Sequence, residues 1–546
     1  MTNKLNILNE QALDYHNKLP HGKIAITAKS CNADELALAY TPGVAHVCKA
    51  IQHKPDLAYT ATAKGNMVAV VSNGTAVLGL GDIGALAGKP VMEGKALLFK
   101  LLAGIDAIDL CVNEHDIDKL TDIVKACEVS FGAINLEDIK APGCFELLEN
   151  LQKTANIPIF HDDQDGTAIV VASVLINALK LLNKTINKIK VVCSGAGAAM
   201  IATLRLLEHF GLHSSQVVMF DSKGSVHTQR TDLTEYKRKY AHAHRITFQQ
   251  ALTNADVFIG LSGPGVLQKS DIVDMSDNPI MLCLANPIPE ITPEEIKDVR
   301  SDAIICTGSS RYPNQVNNAL CFPYIFRAAL DARVKQITLD MMVAFVQILT
   351  KFQQNEPDFD KEHLMPYLLD QRLPYIIVPH LLNELGINGK PRYNIYIQKY
   401  ANAMPVWESV INAQPMTAVR ADEPWLQDAL ALFNGMHSAA THILNIKLIN
   451  TASGEKLPEN AEFYILETVY GHFGICNTTK HQYQCDKSVD FPIFEFNKMG
   501  DDMDIHTACY ITKNLAAITD NICYIDAANY SAVPFIIALI TRLEKK

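Results

Sequence analysis

Two adjacent pairs of acidic residues, each directly after an apolar segment, constrain the fold of this chain most strongly. Glu137 and Asp138 follow the segment GAINL, and Asp162 and Asp163 follow IPIF. Short apolar segments of this kind are typical of buried strands in a parallel sheet, which is covered on both faces. We therefore expect an α/β sheet with both acidic pairs at the carboxyl ends of its strands, where open α/β sheets bind ligands.

Several carboxylates that converge at one edge of a sheet favour a hard divalent cation. Carboxylate oxygens are preferred ligands of Mg²⁺ and Mn²⁺, whereas His and Cys side chains favour zinc. Adjacent acids are also common in solvated surface turns, and the pattern alone favours that simpler interpretation. The position of both pairs after apolar segments is the observation that supports a metal site.

Composition limits the class of protein. The chain has 546 residues, 48% of them hydrophobic, so it is globular and too long for a single core. A net charge of -11 argues against a nucleic-acid-binding surface, which needs a basic face. The best candidate for a membrane span, IVVASVLI, is too short, and MTNKLNILNE lacks a secretory signal pattern. Thirteen scattered cysteines fit a reducing compartment, so we expect a cytoplasmic protein without nucleic-acid or membrane partners.

The pattern along the chain predicts four regions. Residues 1–160 alternate the strand candidates MVAVVS, TAVLGLG, AIDLCV and GAINL with the helical stretches EGKALLFKLLAG and HDIDKLTDIVKAC, which indicates an α/β domain. Residues 161–330 begin with a long apolar helix and continue with KIKVVCSG, SQVVMFD, DVFIGLSG and PIMLCLANP, which indicates a doubly wound parallel sheet. Residues 331–405 are predicted to be a helical closing segment. Residues 406–546 contain the β-like segments FYILETVYGHF and NICYIDA and are predicted to form an additional α/β or α+β module.

Two glycine-rich turns compete as the dinucleotide-binding site. VLGLGDIG carries Gly79, Gly81 and Gly84, and VVCSGAGAAM carries Gly195 and Gly197. The second is better formed, because a helix follows it at once and can direct backbone N–H groups at a pyrophosphate, with Asp221 at the end of the next strand. A tight turn without a ligand is the simpler alternative for either match.

Four further polar residues are candidates for chemistry. Lys95 follows the first glycine-rich turn and is expected to open a helix, and we expect the helix and a nearby cation to disfavour its ammonium form. Tyr40 precedes a Pro-Gly turn, and a phenol is a possible general acid. Asn286 and Asn318 lie at or after predicted strand ends. A surface lysine, a packed aromatic ring and turn-forming asparagines are the simpler interpretations.

Long motifs in this chain resemble the bacterial small-subunit malic enzymes. They occur in the family's order and cover roughly residues 10–400. The motifs are LALAYTPGVA, SNGTAVLGLGDIGALAGKPVMEGKALLFK, INLEDI, FHDDQDGTA, SGAGAA, DSKG, LANPIPEITPEE and PNQVNNALCFPYIFRAALDAR.

The resemblance implies oxidative decarboxylation of L-malate to pyruvate and CO₂ with NAD or NADP and with Mg²⁺ or Mn²⁺. It implies that the metal ligands are Glu137, Asp138 and Asp163. It assigns Lys95 as the base for the C2 hydroxyl, Tyr40 as the acid for the enol and Asp162 as the neighbour that tunes Lys95. It implies that the dinucleotide is bound by Gly195, Ala196, Gly197, Ala198, Asp221, Ser222, Lys223 and Asn286. It also implies that Asn286 and Asn318 contact malate or the nicotinamide ring. It also implies a homodimer or a higher homo-oligomer.

Several positions depart from the family's motifs. Asp165 replaces a histidine, Met200 a small residue, Ser310 with Arg311 a Ser-Asp pair, and Tyr324 and Ala328 two glycines. An extra acid near the metal is expected to raise the pKa of its neighbours or bind a second cation, and bulky residues are expected to narrow the nucleotide pocket.

Two other functions and the choice of cofactor stay open at this point. One alternative is a catalytically weak paralogue that senses malate or a nucleotide through the C-terminal module, and another is a malolactic-type enzyme that releases lactate. Asp221 would bind the 2′-hydroxyl of NAD and repel the 2′-phosphate of NADP, whereas Ser222, Lys223 and Arg230 would offset that repulsion.

Overall fold

A computed structural model describes residues 23–24, 33–77, 79–370 and 372–386, together with four strands nearer the carboxyl terminus. The chain forms two compact units. Met1–Asp370 with His380–Ile387 is the first unit, and Gln371–Pro379 with Asn388–Lys546 is the second.

The first sheet lies in the region that the sequence predicted to be an α/β domain. Its strands are β1 Met67–Ser72, β2 Asp106–Cys111, β3 Ala133–Leu136 and β4 Ile159–His161, in the order β2-β1-β3-β4, and every pairing is parallel. In this register Leu136 at the end of β3 pairs with His161 at the end of β4. Glu137 and Asp162 therefore leave neighbouring strands at the same edge, as the apolar segments predicted.

Helices of this first region precede and connect the four strands. They are α1 Ala33–Ala39, α2 Val44–His53, α3 Ala58–Ala61, α4 Gly84–Ala103, α5 Ile117–Cys127 and α6 Gly143–Thr154. One core cluster joins the sheet to α5 and α6 through Leu120, Val124, Leu147 and Leu151, all without solvent exposure. The four-residue spacing of each pair places both of its members on one face of the helix.

Two predictions for this region are wrong. The described residues of TAVLGLG do not form a strand, because Gly79 and Gly81 have positive φ angles that an extended strand does not contain. The next helix begins at Gly84 rather than near Glu93 and continues through Pro90. Lys95 consequently lies in the middle of α4 and does not open it.

The second sheet has the strand order of a dinucleotide-binding fold. Its strands are β5 Val191–Ser194, β6 Val217–Asp221, β7 Gly224–Ser225, β8 Val257–Gly260, β9 Ile280–Cys283 and β10 Ile304–Thr307. The order β10-β9-β8-β5-β6-β7 reverses direction between β5 and β8, and only the short β7 is antiparallel to its neighbour. The carboxyl ends of β5 and β8 flank the switch point where such sheets bind ligands. The Rossmann-type prediction is confirmed, although the sequence analysis did not identify β7 or β10.

Further helices of the described residues begin at Thr167 and follow in chain order. They are α7 Thr167–Leu181, α8 Ala198–His209, α9 Glu235–Arg238, α10 Phe248–Leu252, α11 Lys269–Ile272, α12 Pro293–Val299, α13 Phe322–Ala332, α14 Leu339–Gln354 and α15 Leu373–Glu384. The last three lie in or next to the predicted closing segment, whose residues beyond 386 fall outside the described part of the chain.

One segment of the described residues, Asp162–Leu181, is long and apolar enough to cross a membrane by length and composition. It comprises a π-helical turn, Asp162–Gly166, and helix α7. In this protein 72% of that segment's apolar window is buried, which is typical of a core helix. The helix packs against α8 and α14.

A third sheet lies in the carboxyl-terminal module. It contains β11 Ile446–Asn450, β12 Phe463–Glu467, β13 His472–Asn477 and β14 Ile522–Asp526, in chain order. β11 and β12 are parallel, whereas the other two pairings are antiparallel. β12 and β14 fall within the predicted β-like segments FYILETVYGHF and NICYIDA, and β13 begins at the end of the first of these segments. The boundaries predicted for the four regions remain predictions.

Candidate active site and nucleotide cleft

Three carboxylates converge at the carboxyl edge of the first sheet. Glu137, Asp138 and Asp163 each offer one oxygen, and these oxygens lie within 4.8 Å of one another. Glu137 and Asp138 follow β3 and are 4% and 5% exposed, so this is not a solvated surface turn. The three predicted metal ligands are therefore brought together.

The local backbone fixes the carboxylates in place. Asp138 has a positive φ of 54°, an uncommon conformation that Asp tolerates better than most residues. Its backbone N–H donates to Oδ2 of Asp163 at 2.7 Å, which links the two strand ends directly. The side-chain amide of Asn135 donates to Oε2 of Glu137 at 2.8 Å and leaves the other carboxylate oxygen of Glu137 directed at Lys95.

Burial and mutual repulsion make these carboxylates hard to ionise. Burial raises the pKa of Asp138 to about 7, and the negative charge of Asp163 adds to this effect. Burial also raises the pKa of Glu137 well above its usual range and raises that of Asp163, while Lys95 opposes both shifts. A bound cation stabilises such a cluster of carboxylates, because its positive charge lets all of them ionise together.

The donor set fits a hard divalent cation. Oδ2 of Asp138 is buried and has no hydrogen-bond partner among the described residues, so it is available as a ligand. All three donors are carboxylate oxygens, the type that Mg²⁺ and Mn²⁺ prefer. Asp165 is not a member of this group. Burial raises the pKa of Asp165 to about 7, and the charge of Arg205 opposes that shift.

Lys95 lies against the carboxylates. Its Nζ contacts Oδ2 of Asp162, lies 3.1 Å from Oε1 of Glu137 and stands 4.3 Å from the centre of the Phe322 ring. Burial lowers the pKa of Lys95, but the charges of Asp162 and Glu137 outweigh it and raise the pKa above its usual value. The expectation that the ammonium form is disfavoured included a bound cation and stays a prediction, whereas in the protein alone the two carboxylates in contact with Lys95 stabilise the ammonium form.

Asn318 joins this cluster from the loop that precedes α13. Its Nδ2 donates to the backbone oxygen and to Oδ2 of Asp162, both at 3.1 Å, and to Oγ1 of Thr167 at 3.0 Å. Asn318 therefore holds the carboxylate that pairs with Lys95. The motif PNQVNNAL indicated Asn318, but no sequence pattern indicated Phe322 or Asn135 as neighbours of the site.

Tyr40 is not brought to the cluster. It lies between α1 and α2, directly before the cis peptide bond Thr41–Pro42, and is 70% exposed. Among the described residues, no side-chain hydrogen bond joins Tyr40 to Lys95 or to the three carboxylates. Its role as an acid rests on the motif alone.

A cavity of about 610 Å³ lies between α6 and the second glycine-rich turn. From the first region it is lined by Ala141, Pro142, Phe145, Glu146 and Glu149. From the second it is lined by Gly195, Ala196, Gly197, Ile201, Asp221, Ser222, Thr234, Tyr236 and Lys237. The cavity thus places five of the predicted dinucleotide-binding residues around one space.

The glycine-rich turn depends on Gly195. Its φ is 97°, and a Cβ at this position would lie 2.4 Å from the backbone oxygen of Leu261. Gly195 therefore allows β5 to approach the turn after β8 at the switch point. Ala198 begins α8, so its N-terminus follows the turn directly. Met200 is fully buried and, like Tyr324, is not among the cavity-lining residues, so the expected narrowing of the pocket by these bulky side chains is not found there.

Besides Ala198, two predicted dinucleotide ligands, Lys223 and Asn286, do not line the cavity. The backbone N–H of Lys223 donates to Oδ1 of Asp221 at 3.0 Å, and its side chain is 67% exposed. Asn286 forms a cis peptide bond with Pro287 in the loop after β9, and a Cβ at Gly79 would lie 3.3 Å from its backbone oxygen. Asn286 therefore lies where the first glycine-rich turn meets the second sheet.

The carboxylate cluster and the cavity thus lie at the carboxyl edges of two successive sheets, and comparison with known proteins identifies the class of protein. The family model described as the malic enzyme N-terminal domain matches residues 21–152, and that of the malic enzyme NAD binding domain matches residues 164–373. The chain belongs to the malic enzyme family.

Individual relatives agree with this assignment. The NADP-dependent malic enzyme of Haemophilus influenzae is 47% identical over 415 residues, which are 72% of this chain and 55% of that protein. The NADP-dependent malic enzyme of Halomonas elongata is 46% identical over 67% of this chain and 90% of its own length. A crystal structure of malic enzyme from Pyrococcus horikoshii has a TM-score of 0.67 at 40% identity and covers 74% of this chain and 97% of its own. The chain thus spans about half the length of several relatives that it matches.

Proposed function

We propose that this protein oxidises and decarboxylates L-malate to pyruvate and CO₂ while NAD⁺ or NADP⁺ is reduced, with Mg²⁺ or Mn²⁺ bound. The observation that carries the proposal is the contact of Lys95 with Asp162 and Glu137, at the side of the three-carboxylate group. Membership of the malic enzyme family and a cavity at the second glycine-rich turn support it.

Glu137, Asp138 and Asp163 would hold the divalent cation. Bound there, the cation supplies positive charge that acidifies the C2 hydroxyl of malate and stabilises negative charge on that oxygen during decarboxylation, and the dinucleotide supplies a hydride acceptor. Neutralising the carboxylates would also weaken the field that raises the pKa of Lys95.

Lys95 is proposed as the base that takes the proton of the C2 hydroxyl. Asp162 keeps the ammonium group in place after that transfer, because their contact is buried. Asn318 fixes the orientation of Asp162 and is proposed, with Asn286, to contact malate or the nicotinamide ring. Tyr40 is proposed as the acid that protonates C3 of the enol, on the family motif alone.

The assignment is tested by incubating the purified full chain with L-malate, Mn²⁺ and each dinucleotide. Absorbance of the reduced nicotinamide and enzymatic detection of pyruvate are expected to rise together. Lactate without net dinucleotide reduction would instead identify a malolactic-type enzyme. Binding of malate or nucleotide without any turnover would identify the sensing paralogue.

A homodimer or higher homo-oligomer is also proposed from the family resemblance. Light scattering of the full chain at several concentrations is the direct measurement, and a mass close to the 60.2 kDa of one chain would contradict it.

A further inference from the structure

Glu290, in the loop between β9 and α12, is a fully buried carboxylate outside the three-carboxylate group. Its Oε1 accepts from the backbone N–H of Ser262 at 3.0 Å and from the Ser262 hydroxyl at 3.2 Å. Its Oε2 accepts from the backbone N–H of Ala285 at 3.1 Å. Ser262 follows β8 and Ala285 follows β9, so this one carboxylate ties together the turns at the ends of two adjacent strands.

Gly260, the last residue of β8, makes room for this carboxylate. A Cβ at position 260 would lie 2.4 Å from the carboxyl carbon of Glu290 and 2.6 Å from its Oε1. Both distances are shorter than a non-bonded contact allows, so the strand end can approach the carboxylate this closely only with glycine. The chain therefore has a specific place for the Glu290 side chain at this edge of the sheet.

On one side, the contacts of Glu290 extend to the second glycine-rich turn. The Ser262 hydroxyl lies 2.8 Å from the hydroxyl of Ser194, the last residue of β5. Gly195 follows directly, and a Cβ there would lie 3.4 Å from the Cβ of Ser262. The turns after β5 and β8 are thus held against each other at the switch point of the sheet.

On the other side, the contacts of Glu290 extend to Asn286. Ala285, whose N–H donates to Glu290, directly precedes Asn286 and its cis peptide bond to Pro287. The side chain of Asn286 packs on the backbone of Gly308, where a Cβ would lie 2.2 Å from Nδ2 of Asn286. Gly308 follows β10. Glu290 therefore fixes the backbone that carries Asn286 and directs its side chain to the end of β10.

The charge of Glu290 is held by hydrogen bonds alone among the described residues. Asp162 and Asp331 are also without solvent exposure, but each contacts a cation, Lys95 and Arg327 respectively. Burial raises the pKa of Glu290, and the hydrogen bonds to its carboxylate oppose that shift. A buried carboxylate without a cation costs folding free energy, and costs of this kind are typical of ligand sites.

The direction of a bound dinucleotide follows from the sheet. The cavity is lined by Asp221 and Ser222 after β6 and by the turn Gly195–Gly197 after β5. In a sheet of this order a dinucleotide crosses the point where the strand order reverses, with its pyrophosphate at the glycine-rich turn. The adenosine half therefore belongs to the side of β6, and the nicotinamide half to the ends of β8 and β9, which Glu290 joins.

We propose that Glu290 is a positioning residue for the nicotinamide half of the dinucleotide. It holds the turn after β8 and the backbone of Asn286 in one geometry, and it acts through them rather than by touching the ligand. The inference deepens the proposed function and rests on it for the role of Asn286. A residue that supports contact residues in this way is needed because small displacements of a reacting group are costly.

The direct test compares the binding of two ligands to the full chain without malate or metal. ADP carries the adenosine and the pyrophosphate only and is titrated by calorimetry, whereas NADH and NADPH carry the whole dinucleotide and are titrated by nicotinamide fluorescence. Glu290→Gln replaces one acceptor oxygen by a donor, so at least one of the three hydrogen bonds is lost. The affinity for the reduced dinucleotides is expected to fall about tenfold, and that for ADP by less than about twofold.

Glu295→Gln is the matched control. Glu295 also accepts a backbone N–H and a hydroxyl, both from Thr292, at 3.0 Å and 2.7 Å, but it lies in the first turn of α12 and is exposed. Its substitution should leave all of these affinities unchanged. Equal losses for ADP and for the reduced dinucleotides in Glu290→Gln would overturn the inference, and so would unchanged affinity for both.

Ser262→Ala gives a second and milder test that keeps Glu290 in place. It removes the hydroxyl that contacts both Glu290 and Ser194 but retains the backbone N–H. The affinity for the reduced dinucleotides is expected to fall about threefold, again without a matching loss for ADP. If Glu290→Gln does not fold, this variant decides the question, and equal changes for both kinds of ligand would overturn the inference.

Turnover separates this inference from the proposed function. In an active enzyme Glu290→Gln should lower kcat for malate oxidation at least about tenfold, while ADP inhibits the variant and the wild-type protein at similar concentrations. A protein that shows the selective loss of dinucleotide binding but does not oxidise malate would contradict the proposed function and support this inference. An active enzyme in which Glu290→Gln changes neither kcat nor dinucleotide affinity would do the reverse.

Discussion

The two ligand sites of this protein are built at the same kind of sheet edge but have opposite charge balance. Around Lys95, four carboxylates, Glu137, Asp138, Asp162 and Asp163, face one ammonium group. Around Asp221, three cations face two carboxylates. The pKa of Asp138 is accordingly raised to about 7, whereas that of Asp221 is lowered to about 2. The comparison indicates that the first site is suited to a cation, whereas at the second the charge of Asp221 is balanced by cations of the protein itself.

Removal of the side-chain charge of Lys95 at the first site should have the largest effect on turnover. Lys95→Met is expected to lower kcat by about a thousandfold, because a general base commonly contributes 10²–10⁴-fold. Steady-state malate oxidation is the measurement. Lys89→Met is the matched control, since Lys89 lies on the same helix and pairs instead with Asp109 at 2.5 Å. Similar losses in both variants would show that the helix, rather than the base, was disturbed.

Removal of one carboxylate should weaken cation binding at the first site. Asp163→Asn is expected to lower Mn²⁺ affinity by about a hundredfold or more, because one anionic ligand is lost from a set of three. Calorimetric Mn²⁺ titration measures this independently of turnover. Asp165→Asn removes a carboxylate two residues away, outside the three-carboxylate group, and should change the affinity by less than about threefold. A larger loss in Asp165→Asn than in Asp163→Asn would reassign the ligands.

The raised pKa values predict a pH-dependent stability in the metal-free protein. Asp138 has a pKa of about 7 in the folded protein against the ordinary 3.8, so the folded state binds more protons between these values. Stability should therefore fall as pH rises from about 4 to about 7, and a bound cation should remove that loss. Mn²⁺ is expected to raise the melting temperature by several degrees more at pH 8 than at pH 5. Equal shifts at both pH values, at matched ionic strength, would contradict the charge balance inferred for this site.

A smaller effect is expected at the wall of the nucleotide cavity. The Tyr236 ring stacks on Phe145 with ring centres 5.2 Å apart, and its hydroxyl donates a hydrogen bond to Glu149. Both contacts join the second region to α6. Tyr236→Phe keeps the stack and loses one exposed hydrogen bond, so dinucleotide affinity should fall by about fivefold or less. Tyr240→Phe is the control, because its hydroxyl donates to Glu208 outside the cavity. A larger loss in Tyr236→Phe would show that the Tyr236 hydroxyl itself contacts the nucleotide.

The sequence predicted that the acidic residues of the first site converge, because this geometry follows from strand ends. Apolar segments before Glu137 and before Asp162 indicated buried strands, and the parallel register of β3 and β4 brings the next residues together. The same reasoning found the turn at Gly195 and Asp221 at the end of β6.

Other features of the fold and of the two sites depend on tertiary contacts that no local sequence pattern encodes. The predicted start of α4 was too late: the helix begins at Gly84 and contains Gly88 and Pro90, two residue types that ordinarily disfavour a helix interior. Lys237 lies on a four-residue helix, and only the tertiary fold brings it to Asp221, sixteen residues earlier. The raised pKa of Lys95 in the protein alone depends on Asp162 and Glu137, which approach it from the ends of two different strands.

A crystal of the full chain soaked in Mn²⁺, with anomalous diffraction measured, tests the central claim most directly. One anomalous peak bonded to oxygens of Glu137, Asp138 and Asp163, beside Lys95, is the result predicted here. A peak elsewhere, or none at a concentration that supports turnover, would contradict it.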